Sequence, residues 1–221
     1  MAGLLLIVML LASSFVGLAL YYRWRRQKVA EVAGRLGLNF LPAEKVYEEL
    51  SGLYLTKIGT EPEVENCLQG AADGTEVRIF EYRCYFPKGM ASHTVALLTA
   101  EQLHLPRFLI RPRHRFALLD PYNSLAPPPI LIRHDFDEHW TVAGDDTERV
   151  RGLFDDALIE FVEMNKWCME ADGNRLALYR WNHTVNHTFL EDFFQQAFKA
   201  LLLLKTRSAA VADESRELAR A

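Results

Sequence analysis

The sequence predicts an α+β protein in which an N-terminal transmembrane helix leads into antiparallel sheet and packed amphipathic helices. Three observations carry that expectation. The first is an uncharged run from Ala2 to Tyr22, followed at once by Arg23, Trp24, Arg25, Arg26 and Lys28. The second is a stretch of strand-like segments punctuated by turn signals. The third is a pair of apolar stripes at helical spacing near the C-terminus.

At helical rise the run from Ala2 to Tyr22 covers roughly 31 Å, the thickness of a bilayer core. A cleavable signal peptide would want basic residues before the apolar run and small residues after it. Here the run ends in Leu20, Tyr21 and Tyr22. A buried core helix is the other reading, weakened by the length of the run and by a collar on one side only. The basic collar predicts an N-terminus facing out and a body facing the cytoplasm. Tyr21, Tyr22, Arg23, Trp24, Arg25, Arg26 and Lys28 are the expected membrane-interface residues, and membrane lipid is the expected partner of the helix.

Less the four bases of the collar, 21 Lys and Arg stand against 29 Asp and Glu. So acidic a body argues against nucleic acid as a partner. Cys67, Cys84 and Cys168 are scattered and form no C-x-x-C pair, which fits a reducing compartment and neither a disulfide framework nor a zinc ribbon.

Four segments are expected. Residues 1–36 form the anchor and its helical extension, stopped at Gly37. Residues 37–126 form a β-rich part, 130–206 a strand-helix-hairpin-helix part, and 207–221 a flexible polar tail. In the β-rich part a short helix is expected over Ala43 to Leu50. Asp73-Gly74 is a hairpin turn before the run Glu76 to Phe86, where alternation changes phase near Ile79-Phe80 and suggests a bulge or a strand covered on both faces. Pro87-Lys88-Gly89 turns the chain into Thr94 to Thr99, and Arg107 to Arg111 and Phe116 to Leu119 read as short strands. Pro127-Pro128-Pro129 is a stiff connector. Beyond it, Asp145 with Glu148 is a capping-box start for a helix to about Met164. Trp167 to Ala171 and Arg175 to Trp181 form a hairpin, and Thr188 with Glu191 opens a last helix bearing Phe189, Leu190, Phe193, Phe194, Ala197, Phe198 and Leu201.

Two polar clusters are candidate sites. His134, Asp135, Asp137 and His139 offer imidazoles and carboxylates suited to a divalent metal, although in a strand the two histidines fall on opposite faces. The bland reading is an acidic strand end or loop. Arg107, Arg111, Arg113 and Arg115, with His114 among them, form a basic run that could attract phospholipid headgroups, or else a solvated loop paired with carboxylates. His93, His104, His183 and His187 lie near Ser or Thr without a matched acid and nucleophile, and no P-loop, G-x-G-x-x-G or G-x-S-x-G is present, so no catalytic residues and no cofactor are expected. Cys84, inside an aromatic strand, reads as a small core residue.

Several stretches together carry a resemblance: Arg35-Leu36-Gly37-Leu38, Leu68-Gln69-Gly70, Phe80-Glu81-Tyr82-Arg83, Leu105-Pro106-Arg107-Phe108, and Gly144-Asp145-Asp146 with Val150-Arg151-Gly152-Leu153-Phe154. They resemble a group of uncharacterised bacterial single-span membrane proteins with a cytoplasmic α+β domain. The resemblance implies a single-pass protein of the bacterial inner membrane. The function expected from these features is a membrane-tethered interaction or accessory domain with a protein partner; the alternatives are a metal-dependent hydrolase through His134 to His139, and headgroup binding.

Overall fold

The computed structural model describes residues 2–43, 47–86, 89–113 and 126–218, with all side chains in them except those of 2–6, 8, 10, 11, 47, 48 and 212–218. A long helix α1 (Ala2–Arg35) is followed by strand β1 (Asn39–Ala43), one turn of helix α2 (Tyr47–Leu50) and a 3-10 turn at Tyr54–Lys57. Strands β2 (Thr60–Ala72), β3 (Thr75–Phe86), β4 (Gly89–Thr99) and β5 (Leu105–Pro112) come next. After β6 (Pro129–Ile130), α3 (His134–His139) and β7 (Trp140–Gly144) come helices α4 (Thr147–Leu153) and α5 (Asp156–Asn165), the hairpin β8 (Cys168–Gly173) and β9 (Arg175–Tyr179), a 3-10 turn at His187–Phe189, and α6 (Leu190–Leu218).

The nine strands among the described residues join one antiparallel sheet, in the order β1-β2-β3-β4-β9-β8-β5-β7-β6. The two parts expected from the sequence therefore share a sheet, joined where Val95 to Thr99 of β4 pairs with Tyr179 to Arg175 of β9. Asp73 and Gly74 turn β2 into β3 with φ of 50° and 72°, the doubly left-handed geometry of a tight hairpin. β3 alternates without a break: Val77 and Ile79 join the core on one face, Phe80, Tyr82 and Cys84 the core on the other. It pairs with β4 in continuous register. The run is thus a strand covered on both faces, and the irregularities lie in β2, between Thr60 and Glu63 and between Glu65 and Leu68.

Helices α1, α4, α5 and α6 close one face through Val29, Val150, Leu158, Phe161, Phe193 and Ala197. The other face is closed by Leu50 to Ile58 over Phe80, Tyr82, Val95, Leu109 and Tyr179. The expected single helix from Asp145 to Met164 is two helices, because two aspartates cap: Asp146 accepts from Arg149 N and Asp155 from Leu158 N. The segment His134 to His139 is a helix, not a strand end. Helix α6 continues through the expected loose tail to Leu218. Phe116 to Leu119 and Pro87-Lys88 lie outside the described residues, as do residues 44–46 of the helix expected over Ala43 to Leu50; of the rest, Ala43 ends β1 and Tyr47–Leu50 is helical.

The transmembrane part of the predicted fold is overturned. Among the described residues no helix is long and apolar enough to cross a membrane, and with that fall the single-pass topology, the inner-membrane location with N-terminus out, and lipid as partner of the helix. The apolar side chains that gave the run its length, Leu4, Leu5, Leu6, Val8, Leu10 and Leu11, lie outside the described side chains. The continuous described stretch, Ala12 to Tyr22, spans about 16 Å and includes Ser13, Ser14 and Gly17.

The collar residues make protein contacts as well. Arg25 pairs with Glu81 of β3 at 2.8 Å, Lys28 with Glu31 at 2.8 Å, and Trp24 sets its edge on His187 at 5.2 Å. Tyr21 and Tyr22 pack on each other, while Arg23 and Arg26 are exposed. From Val29 onward α1 lies on the sheet, and it ends as predicted at Gly37, where Leu38 N donates to Ala33 O at 2.8 Å in a Schellman closure.

Candidate functional site

Alternation along β5, β8 and β9 sends Arg107, Leu109 and Arg111, then Cys168, Glu170 and Asp172, then Arg175, Ala177 and Tyr179 to the face beneath Leu50 to Ile58. Glu170 lies at the centre of this set with 0 % exposure. Tyr179 donates its hydroxyl to one carboxylate oxygen at 2.5 Å, and Leu55 N donates to the other at 3.0 Å. The Tyr54 amide also donates to it. Burial raises its pKa to about 7 and these donors oppose the rise. At neutral pH the carboxyl therefore exchanges a proton.

Around it, Tyr54 donates to Asp145 at 3.5 Å and lies under the Arg107 guanidinium at 4.4 Å. Burial, ahead of the nearby charges, raises the Tyr54 hydroxyl to about 12. Arg107 reaches Asp145 at 3.7 Å. Gly144 permits this approach, because a Cβ there would stand 2.8 Å from Arg107 O. On the far side of Tyr179 the buried His93 ring stacks at 5.2 Å, with Trp181 at 5.1 Å and Tyr82 at 5.5 Å. Neither His93 nitrogen has a hydrogen-bond partner among the described residues. Burial lowers its pKa to about 4 and keeps the imidazole neutral.

The arrangement can store a proton and hold the irregular cover in place. It cannot receive a substrate as it stands, since Glu170 is sealed from solvent. Nothing in the sequence singled out Glu170. The available signal was its strand parity, which places a carboxylate level with Cys168 on an apolar face.

The predicted metal residues do not converge. In α3, Asp135 is tied to Arg133 at 2.7 Å, which holds its carboxyl below the usual range. Asp137 accepts from Ile132 N at 3.0 Å, and exposed His134 faces Glu138 at 3.6 Å. The exposed His139 contributes its carbonyl to Arg113 N. Among the described residues no three His, Cys, Asp or Glu side chains gather closely enough to hold a metal ion.

Nor does the basic run form one patch. Arg107 lies on Tyr54, Arg111 is buried, and Arg113 donates to Asp137 O at 2.8 Å. Strand alternation turns Arg107 and Arg111 inward, and Arg115 with His114 lies outside the described residues. Cys84 is a core thiol, pushed up to about 11 by burial.

No protein-family model and no curated protein sequence matches the chain. Its fold is similar to that of the mycobacterial trehalose monomycolate transport factor A, TtfA, as seen in a crystal structure, with a TM-score of 0.59, 12% sequence identity, and coverage of 84% of this chain and 94% of that one. At this identity the likeness is one of fold.

Proposed function

We propose that this chain is an accessory protein of a transport process, acting by binding another protein. The observation that carries the reading is the shared architecture: the likeness to a transport factor extends over 84% of this chain and 94% of the other. The placement of polar groups supports it. The buried carboxyl of Glu170 serves the cover of the sheet, and of the residues suggestive of a metal Asp135 pairs with Arg133 while Asp137 accepts from Ile132 N.

The test places a photo-crosslinking residue at exposed apolar positions in turn, Met90, Leu131 and Phe189, in the organism that makes the protein. The reading expects a discrete adduct with a component of a transport system from at least one position, and loss of transported product when the gene is deleted. Absence of any adduct, together with unchanged transport in the deletion, would refute it.

A further inference from the structure

We infer that the segment from Leu53 to Ile58 is a hinged flap over the sheet, latched on the Glu170 carboxyl and released as that carboxyl loses its proton. The chain is fixed on both sides of it. Before it, Arg175 Nη1 donates to Glu49 O at 2.6 Å, and Arg78 pairs with the Glu49 carboxylate. After it, Thr60 enters register with Tyr85 at the start of β2. At each junction stands a glycine in the left-handed region, Gly52 at φ 95° and Gly59 at φ 71°. Element ends are where a backbone takes up a rotation, and glycine does so with the least steric restriction.

Between the two glycines, among the described residues, no strand ladder holds the chain. The Tyr54 and Leu55 amides donate to Glu170, and Tyr82 donates its hydroxyl to Leu55 O at 3.5 Å. The other backbone bonds of the segment are local, from Leu53 N to Leu50 O, from Thr56 Oγ1 to Leu53 O and from Ile58 N to Leu55 O. The shorter bonds from flap to sheet thus end on one carboxyl. Leu53, Leu55 and Ile58 add apolar contact with Phe80, Val95 and Leu109, which keeps the open state a minor one.

The direction of the latch follows from what faces the carboxyl. Burial disfavours its charge, while Tyr179 of β9, the flap amides and the Arg107 cation of β5 favour it by less, so the closed site holds its proton up to about pH 7. Arg107 also lies over the Tyr54 ring and reaches Asp145, and Arg111 of β5 acts on Cys168, the next inward residue of β8. Asp172, on the other side of Glu170 along β8, is paired with Arg175. Beyond Tyr179, the His93 ring of β4 stays neutral down to about pH 4. Opening hydrates the carboxylate and removes the burial penalty, so loss of the proton favours the open flap. The flap rests on these contacts and not on the accessory role, so each can fail without the other.

The test follows amide hydrogen exchange of the full chain from pH 5 to 8, under conditions in which protection reads the opening equilibrium. Between pH 5 and 6.5 the protection of the Tyr54 and Leu55 amides is expected to fall by about twentyfold, the ratio set by a carboxyl that titrates at about 7 when closed in and at 4.5 when open to water. Amides of α5 and α6, on the opposite face, should stay nearly level over that range, because in global opening the Glu170 and His93 titrations oppose each other. Glu170→Gln keeps an acceptor without a titrating proton and should make the flap amides level too. Should that variant fail to fold, Tyr179→Phe gives a second reading: it removes a donor that favours the carboxylate, so the fall should extend to higher pH. Flap protection that is level or rises with pH, a fall shared in parallel by α5 and α6, or a fall that folded Glu170→Gln retains or Tyr179→Phe leaves unmoved, overturns the latch.

Discussion

The two faces of the sheet are closed by different means. On one face lie helices whose backbone groups are satisfied within themselves, so apolar side chains such as Leu158, Phe161 and Phe193 suffice for the contact. On the other lies the segment Leu50 to Ile58, with only a 3-10 turn of its own. Its amides at Tyr54 and Leu55 enter the interior without helical partners, and a buried amide must find an acceptor. Glu170 is that acceptor, drawn from the sheet itself. A polar group in a core can thus be the consequence of covering a sheet with irregular chain.

The largest effect is expected on the helical face. Phe193→Ala removes a side chain that packs on Trp167 at 5.0 Å between ring centroids and leaves a cavity, costing about 3–5 kcal/mol in denaturant unfolding. Hydrogen exchange at the Leu55 amide should stay slow relative to global unfolding, because the loss lies across the sheet. Glu170→Leu should cost about 3 kcal/mol by orphaning the Tyr54 and Leu55 amides and the Tyr179 hydroxyl. In that variant the Leu55 amide should exchange fast while helices α5 and α6 keep their protection. Equal loss of protection on both faces would show that the cover and the helices are one cooperative unit.

Acid titration separates the faces further, because the irregularly covered one holds two buried groups of opposite sign. The Glu170 carboxyl is raised from 4.5 to about 7, so the folded state holds the extra proton between those values and stability falls as pH rises through them. The His93 imidazole is lowered from 6.5 to about 4, so the folded state holds fewer protons there and stability rises with pH. Over pH 4.5 to 6.5 the two nearly cancel. Removing either should expose the other: Glu170→Gln should gain stability from pH 4 to 6.5, and His93→Phe should lose it from pH 4.5 to 7, by up to about 3 kcal/mol each. Unfolding free energies measured across this range decide it, and parallel pH profiles for the two variants would refute the opposed pair.

Legibility in the sequence followed the same division. Regular elements announce themselves by period and by caps. The Asp73-Gly74 turn, the alternation of β3, the stop at Gly37 and the apolar stripe of α6 were readable because each depends on local residues alone. The split between α4 and α5 was missed because Asp155 caps inside an unbroken stripe and overrides it. The helical state of His134 to His139 was missed because Asp137 reaches back to Ile132 N, a bond that spacing does not advertise. The second face was unreadable for a stronger reason. Glu170, Tyr54 and Arg107 are far apart in sequence, and only the strand order β9-β8-β5 brings them under one segment. The scattered basic run shows the converse error: residues close in sequence were expected to act together, and strand alternation sent them to separate tasks.

The smallest effect is also the finest probe of how the two buried groups are joined. Tyr179 touches both, stacking on the His93 ring and donating to Glu170. Tyr179→Phe keeps the stack and removes the donor, at a cost of about 1 kcal/mol. That hydroxyl favours the charged carboxylate, so its loss should move the Glu170 titration to higher pH and leave the His93 titration in place. The fall in stability attributable to Glu170 would then extend above neutrality, while the rise attributable to His93 would keep its range. A Glu170 titration that stays in place would mean that the ring, which the variant keeps, and not the hydroxyl sets the environment of the pair, and that this face is tuned by packing as the helical face is.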